Sequence, residues 1–327
     1  MTITLKISDN TKQKMIEYFQ DKKREKTPPY AVFQADEADT VVTLYESGKV
    51  VFQGISADID ASLWKQMEQN LNPGKKVEET NSDEKKEKDK KDDFEEKKLV
   101  EKIYLSRTIG SDEVGTGDYF GPIVVTAAYV TKEDIPYLEK LGVRDSKKLS
   151  DEKILEIVPE IIKKISYTSI ILNNKEYNEK YSESINMNKM KAIMHNRVLY
   201  LQLAKMKKEN KPVDAVVVDQ FAKPFVYYNY LKELDQVVRK ITFFTKAEDK
   251  ILSVACGSLI SRYIFLKEFK KLEKTIGMDL PKGASNLVDQ KALEIVKKYG
   301  FDKLKEVAKL NFKNTDKVKV LYESSNM

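Results

Sequence analysis

The chain has 327 residues, 34% of them charged, and a formal net charge of +6, which allows two domains and favours polyanionic partners. A single cysteine, Cys256, and a single histidine, His195, exclude a disulfide framework and the zinc sites built from several cysteines or histidines. No apolar run is long enough to span a membrane and no export signal opens the sequence, so we expect a cytoplasmic protein without membrane contact.

The first 74 residues predict a small α+β domain. An alternating strand at 2–7 precedes an amphipathic helix, and a second amphipathic helix at about 56–71 closes the domain. Gly48 stands in a predicted hairpin turn, where a positive φ is expected. Three short strand candidates lie between the helices, at 30–35, 40–45 and 49–53. Together these elements can fold around one sheet.

A charge-rich segment separates this domain from the rest of the chain. Residues 75–98 contain nine lysines and ten acidic residues and almost nothing that a core could bury. Such a composition is typical of a disordered linker or a solvated helix. We therefore predict a domain at 1–74, a linker at 75–98 and a second domain at 99–327.

Two adjacent carboxylates, Asp112 and Glu113, end an apolar segment, and a glycine-rich bend then leads into a strand at 123–130. Neighbouring side chains on a strand point to opposite faces, so both acids reach one site only if the strand bends or ends there. A divalent cation is a common partner for acids set in a sheet. The alternative is an exposed strand end with two solvated acids. The glycine spacing fits neither a dinucleotide fingerprint nor a P-loop, which favours a metal over a phosphate.

Two further carboxylates follow apolar strands later in the chain. Asp219 comes directly after the run at 213–218, and Glu248 follows a strand candidate at 241–245. Ligands of parallel sheets collect at the carboxyl ends of the strands, so these acids and the earlier pair can share a site. Small residues at 255–258 permit the next helix to pack closely on the sheet. Four such carboxylates can hold two divalent cations, an arrangement that hydrolyses phosphodiesters without histidine or cysteine.

Lys147 and Lys148 precede a helix predicted at 151–165, for which Ser150 is a natural N-cap. Cations beside a helix N-terminus form a phosphate site. In a chain so rich in lysine, ordinary solubility is the alternative explanation for both. His195 lies within a helical pattern of apolar residues, and we expect it to be structural.

Several ordered motifs between about residues 103 and 318 resemble the type 2 ribonuclease H family, and most closely its ribonuclease HIII branch. They are GSDEVGTGDYFGP, DSKKLSD, VVVDQF, TKAEDK, SLISRY and LPKGAS. The segment YESGKVVFQG is similar to the TATA-binding-protein-like domain that precedes the nuclease in that branch. The resemblance implies a ribonuclease-H-like α/β domain, with a mixed central sheet and flanking helices, after a small α+β TATA-binding-protein-like domain that binds substrate.

The same resemblance assigns the site. Carried over position by position, the catalytic and metal-binding carboxylates of the family fall on Asp112, Glu113, Asp219 and Glu248. The glycine loop after the first pair is expected to meet the 2′-hydroxyls of RNA. The expected substrate-binding residues are Gly115, Thr116, Gly117, Ser146, Lys147, Lys148 and Lys282.

The implied activity is endonucleolytic cleavage of the RNA strand in RNA/DNA hybrids by two-metal-ion hydrolysis with Mg²⁺ or Mn²⁺. We expect the protein to act as a monomer. Two alternatives stay open: a hybrid- or duplex-binding protein without chemistry, and a metal-dependent nuclease of the same fold that acts on DNA. The four acids favour the hybrid nuclease, because a binding protein could dispense with them.

Overall fold

The structure, a computed structural model, describes residues 1–74, 77, 79–81 and 94–325. The chain forms two compact units, Met1–Lys98 and Leu99–Met327. Most of the linker predicted at 75–98 lies outside the described residues, and its last described part belongs to a helix at 94–104. None of the described helices is both long enough and apolar enough to cross a membrane.

The first unit is a five-stranded antiparallel sheet packed against two helices. Alternate side chains such as Leu5, Phe33 and Phe52 point into a core that Trp64 closes from the second helix. The elements are β1 (Thr2–Lys6), α1 (Asp9–Tyr18), β2 (Ala31–Glu37), β3 (Thr40–Tyr45), β4 (Lys49–Gly54), α2 (Ala57–Leu71) and β5 (Glu79–Asn81). The strands lie in the order β2-β3-β4-β1-β5. The small α+β fold predicted here is confirmed.

The opposite face of this sheet presents the intervening side chains. Because side chains alternate along a strand, the residues between the core positions of β1 and β4 turn away from the helices. The partly or fully exposed ones are Thr2, Thr4, Lys6, Lys49, Val51 and Gln53. This surface is mostly polar and carries two lysines.

The second unit is a mixed five-stranded sheet flanked by helices. Its strands are β6 (Thr108–Val114), β7 (Ile123–Val130), β8 (Ser166–Leu172), β9 (Ala215–Asp219) and β10 (Thr242–Phe244). In the order β10-β9-β6-β7-β8, the first three are parallel and β7 is antiparallel to both of its neighbours. The predicted mixed sheet is confirmed.

The helices of the chain after α2 are numbered onward from the one at 94–104, which is α3. They continue with α4 (Ile135–Lys140), α5 (Asp151–Lys164), α6 (Asn174–Lys180), α7 (Met187–Lys208), α8 (Pro224–Tyr230), α9 (Leu252–Ile276), α10 (Asn286–Tyr299), α11 (Phe301–Val307) and α12 (Lys313–Ser324). The interior strand β7 is buried along its whole length. Because α9 and α7 cover its two faces, β7 shows no alternation of apolar and polar residues.

Helix α9 lies unusually close to the strand that carries the first two acids. A Cβ built on Gly110 of β6 would stand 2.3 Å from the backbone nitrogen of Val254, and one built on Gly257 of α9 would stand 2.9 Å from the carbonyl oxygen of Thr126. Real side chains do not tolerate such distances. The small residues on both sides are therefore what allows backbone to approach backbone at this point.

Candidate active site

Four acidic side chains lie at the carboxyl ends of three neighbouring parallel strands. Asp112 and Glu113 stand near the end of β6, Asp219 is the last residue of β9, and Glu248 lies in the 3₁₀ turn that follows β10. The backbone N–H of Ala247 donates to Oδ1 of Asp219 over 2.7 Å, which ties that turn to β9. All four acids therefore lie along one edge of the sheet.

Asp112 is buried and, among the described residues, has no cationic side chain paired with it. Burial raises the pKa of its carboxyl well above the usual range, and the negative charges of Glu113 and Asp219 raise it further. Hydrogen bonds from the Ser258 hydroxyl and from the N–H of Glu113, the latter 2.8 Å long, act in the opposite direction. The ionised form of Asp112 therefore lacks a neighbouring positive charge that would stabilise it.

Asp219 and Glu248 lie close together and raise a second electrostatic cost at this edge. Burial and the charge of Glu248 together raise the pKa of Asp219 to about 6, against the lowering effect of the Ala247 N–H. Oε2 of Glu248 is buried and has no hydrogen-bond partner among the described residues. A buried carboxylate oxygen without a donor is costly. It indicates a place where a cation or a donor belongs.

Glu113 has its partners on helix α7. Nζ of Lys191 donates to Oε1 over 2.7 Å, and Nε2 of His195 donates to Oε2 over 2.8 Å. Burial alone would raise the pKa of Glu113, but His195 and Lys191 outweigh it and lower the value to about 2. His195 is itself fully buried, with Nδ1 2.8 Å from the hydroxyl oxygen of Ser111. The ring expected to be structural is therefore also what holds one of the candidate metal ligands.

Lys147 forms an ion pair with Glu248. Its Nζ is 2.6 Å from Oε1 of Glu248 and 2.7 Å from Oδ2 of Asp249, and these two acids raise the pKa of the lysine. With Glu113 and Glu248 both turned towards basic side chains, no three metal-ligating side chains in the described part of the chain close around a common point. The structure thus brings the four acids to one edge without forming a finished metal cage.

The site nevertheless fits a hard divalent cation. Its acidic residues supply only oxygen ligands, which Mg²⁺ and Mn²⁺ prefer. Two of them, Asp112 and Asp219, have raised pKa values because neighbouring negative charges and burial oppose ionisation, and a third, Glu248, keeps an unpartnered oxygen. A divalent cation would relieve all three costs at once.

The glycine loop predicted to read the ribose follows the first acid pair directly. Gly115 has φ +97° and packs so tightly that a Cβ there would lie 2.1 Å from the carbonyl oxygen of Pro122. Gly117 is exposed, with open space where its side chain would be. Thr116 between them is partly exposed. Gly115 is buried, so Gly117 is the position at which this loop offers bare backbone to a partner next to the acids.

The remaining predicted substrate-binding residues lie around the start of α5. The predicted N-cap is present, since Oγ of Ser150 accepts from the N–H of Lys153 over 3.3 Å. Nζ of Lys282 is 2.7 Å from Asp151, and Nζ of Lys148 is exposed and 2.8 Å from Asp145. Ser146 differs from the others because only 8% of its surface is exposed, which leaves it little area for contact with a substrate.

Sequence reasoning missed Lys191 and Ser258 as neighbours of the acids. Lys191 lies four residues before His195 on α7, so both side chains occupy one face of the helix. Phe221 contacts both side chains. Its ring stacks on the imidazole of His195 with 5.2 Å between the centroids, and Nζ of Lys191 lies 4.2 Å from the centroid of the same ring. The i, i+4 spacing of the only histidine and a lysine was the available signal. Ser258 gave none, because it looked like one more small residue.

A mixed sheet of ribonuclease-H type, with acids gathered at the ends of its parallel strands, defines the class of metal-dependent nucleases. The family model "Ribonuclease HII" matches residues 109–315, and the chain belongs to this family. A second model, described as a domain of unknown function (DUF3378), matches residues 2–77.

Similar proteins indicate which branch of this family the chain resembles. The chain is 40% identical over 293 residues to proteins called Ribonuclease HIII from Bacillus cereus (strain 03BB102) and from Bacillus anthracis, with 89% of each chain covered. It is also similar to the crystal structure of Bst-RNase HIII in complex with Mn²⁺, with 32% identity, a TM-score of 0.67, and 99% of this chain and 100% of the other covered. The predicted resemblance to ribonuclease HIII is confirmed.

Proposed function

We propose that this protein is an endoribonuclease that cleaves the RNA strand of RNA/DNA hybrids with Mg²⁺ or Mn²⁺. The observation that carries the proposal is the row of four acids beside a glycine loop in which Gly117 is exposed. Asp112 and Asp219 have raised pKa values there, and Glu248 has an unpartnered oxygen. Membership of the ribonuclease HII family supports it, and so does the Mn²⁺ complex of the similar Bst-RNase HIII.

We propose that Asp112, Glu113, Asp219 and Glu248 would hold the divalent cations. When bound, such ions activate a water molecule and stabilise the leaving oxygen of the phosphodiester. Lys191 and His195 keep Glu113 ionised and fix both of its oxygens. The Ala247 N–H fixes one oxygen of Asp219 in position.

We propose that Gly115, Thr116 and Gly117 recognise the ribose. A 2′-hydroxyl both donates and accepts hydrogen bonds, so backbone groups at close range can distinguish RNA from DNA. Gly117 is the position at which a substrate can approach without meeting a side chain. Lys147, Lys148 and Lys282 are proposed to contact phosphates.

We propose that the first unit grips the hybrid with the open face of its sheet, as a TATA-binding-protein-like domain at 1–74. The support is that face's exposed polar surface, which includes Lys49 and Gln53. Changing both to Ala in the full chain should raise KM for hybrid more than it lowers kcat, and deleting 1–74 should do so more strongly. Lys14→Ala on α1 is the control. Unchanged KM after the deletion would remove substrate binding from this unit.

We also propose that the enzyme works as a monomer in the cytoplasm. Each unit has its own closed core, and the single cysteine is free and buried, in agreement with a reducing compartment. Sedimentation at micromolar concentration with and without hybrid tests the monomer, and a dimer in both samples would contradict it.

The activity is tested with three labelled duplexes of one sequence: RNA/DNA hybrid, DNA and RNA. With Mg²⁺ or Mn²⁺ only the hybrid should be cut, and only in its RNA strand. Binding without cutting under every metal condition would identify a binding protein, and cutting of DNA would identify the third alternative. Both results would contradict the proposal.

The proposed ligand set is tested by Asp112→Asn, which keeps the shape of the side chain and removes its charge. Turnover should fall at least a thousandfold while hybrid binding stays within a few-fold of the wild type, because electrostatic stabilisation of the reaction is lost and the binding surface is not. Asp316→Asn, at an exposed aspartate of α12, is the matched control. Retained turnover in Asp112→Asn would remove that residue from the site.

A further inference from the structure

Lys309, between α11 and α12, is a completely buried lysine far from the acids in sequence. Its side chain is 0% exposed, and burial lowers its pKa to about 7 although the nearby charge of Asp118 acts in the opposite direction. In the described part of the chain it forms no ion pair with a carboxylate. Its ammonium instead donates to two backbone carbonyl oxygens, of Asp118 over 2.7 Å and of Gly121 over 2.6 Å.

Both carbonyls belong to the second half of the glycine loop. The backbone of the same lysine adds a third contact, because its N–H donates to the carbonyl oxygen of Tyr119 over 2.8 Å. Gly121 in turn donates from its N–H to Val307 over 3.1 Å and accepts at its oxygen from Nδ2 of Asn174 over 2.9 Å. The loop is thus fastened from its inner side by the segment around residue 309.

The fastening occurs immediately behind the residues proposed to read the ribose. The loop is held at its first end by β6 and at its second end by these bonds from residue 118 onward, so Gly115, Thr116 and Gly117 form a short bridge between two fixed points. Gly283 strengthens the second point, since its N–H donates to Oδ1 of Asp118 over 2.7 Å. Any movement of residue 118 would shift the bridge.

Burying a lysine at this position costs free energy that a purely space-filling side chain would not. An ammonium without a carboxylate partner loses its hydration on burial, and an apolar side chain would fill the same volume without that cost. Carbonyl groups that point inward from an irregular loop cannot be satisfied by an apolar residue. One ammonium supplies donors to two of them.

We infer that Lys309 is a positioning residue for ribose recognition, which holds the glycine loop in the conformation that discriminates RNA from DNA. It touches neither substrate nor metal, and the inference rests on the proposed function. Its removal should therefore change selectivity for the hybrid without changing the number of phosphate contacts.

The test is Lys309→Met, which keeps the length of the side chain and removes its donors. The affinity ratio of hybrid over DNA duplex should fall about tenfold, as expected when a well-placed hydrogen bond is lost. The slope of log affinity against log salt should stay as in the wild type, because Lys309 meets no phosphate. Lys319→Met, at an exposed lysine of α12, should leave both quantities unchanged.

Amide hydrogen exchange over residues 114–122 provides a readout that needs no activity. Exchange should become faster in Lys309→Met, while the strands β7 and β9 stay protected if the fold is intact. If Lys309→Met does not fold, Asn174→Ala, which removes another donor to Gly121, should produce the same two changes to a smaller extent.

The outcomes separate this inference from the proposed function. If the wild type neither cuts nor prefers hybrid, the proposed function fails, and hydrogen exchange alone decides whether Lys309 holds the loop. If the wild type is selective, a folded Lys309→Met with a ratio within twofold of the wild type overturns the inference. A lowered salt slope would overturn it too, since that result would make Lys309 a phosphate contact.

Discussion

Asp219→Asn should make the metal-free protein more stable while it destroys the active site. Asparagine keeps an oxygen for the N–H of Ala247, which lies 2.7 Å from Oδ1 of Asp219. It also introduces an N–H₂ donor next to Glu248, which interacts with Asp219 and has one oxygen without a donor. It also removes one of the negative charges that crowd this edge of the sheet. The substitution therefore retains the existing bond and relieves two costs.

The size of the effect follows from the raised pKa of Asp219, about 6 in the folded protein against 3.8 for a free aspartate. At about 1.4 kcal/mol for each pH unit, this difference corresponds to about 3 kcal/mol. Glu248 shares in this difference, and Asp219 is only partly buried, so water screens its charge. We therefore expect a gain of about 1–2 kcal/mol in the free energy of unfolding at pH 8. For a unit of this size each kcal/mol raises Tm by about 2–4 °C.

The stability of the metal-free wild type should depend on pH in a way that the stability of the Asn variant does not. Because the folded state binds the proton of Asp219 more tightly than the unfolded chain does, the metal-free wild type loses stability as the pH rises from 3.8 to about 6. The Asn variant has no such proton to lose. The difference in Tm between variant and wild type should therefore be near zero below pH 4 and reach its full value above pH 6.

Thermal unfolding in chelator, followed between pH 3.5 and 8, measures this difference. Addition of Mg²⁺ or Mn²⁺ should then stabilise the wild type and have little effect on the variant, because binding to the folded state alone raises its stability. An Asn variant that is less stable than the wild type at pH 8, or a difference that persists unchanged at pH 4, would refute the reasoning.

Three further outcomes follow from other contacts. The arginine partner of Asp214, Arg107, lowers the pKa of this carboxyl to about 2, so Asp214 stabilises the fold above pH 3.8 and loses this effect as the pH falls towards 2. In equilibrium unfolding, Asp214→Asn should therefore lower the free energy of unfolding by at most about 1 kcal/mol at pH 7 and leave it unchanged at pH 2. Lys147→Ala should weaken hybrid binding and reduce the salt slope by about one counterion, and an unchanged slope would leave Lys147 only its pairing with Glu248. Gly110→Ala should destabilise the fold by about 3 kcal/mol, because its Cβ would collide with the backbone of Val254, and a Tm equal to that of the wild type would contradict the close packing of α9.

Local pattern was sufficient for much of the fold. The apolar run at 123–130 became β7 at the predicted positions, because a strand covered on both faces has a signature within eight residues. The strands at Asp219 and before Glu248 are also present, although each differs from its prediction by one or two residues at each end. The positions of these acids could be predicted because the rule for parallel sheets concerns strand ends.

Long-range partners could not be predicted in this way. The bond from Lys191 to Glu113 joins residues 78 positions apart, and the bond from Lys309 to Gly121 joins residues 188 positions apart. In a sequence with so many lysines, a buried one looks like its exposed neighbours. The tertiary fold is needed to show which lysine side chains are buried.

The basic side chains on two of the acids have a practical consequence. Lys191 and Lys147 place positive charge against Glu113 and Glu248 as the chain folds, so the protein brings its own counter-ions to half of the acidic edge. We therefore expect the chain to fold before it binds a divalent ion, and chelation to stop turnover without unfolding the protein. Activity lost in EDTA should accordingly return when magnesium or manganese is added to the folded protein.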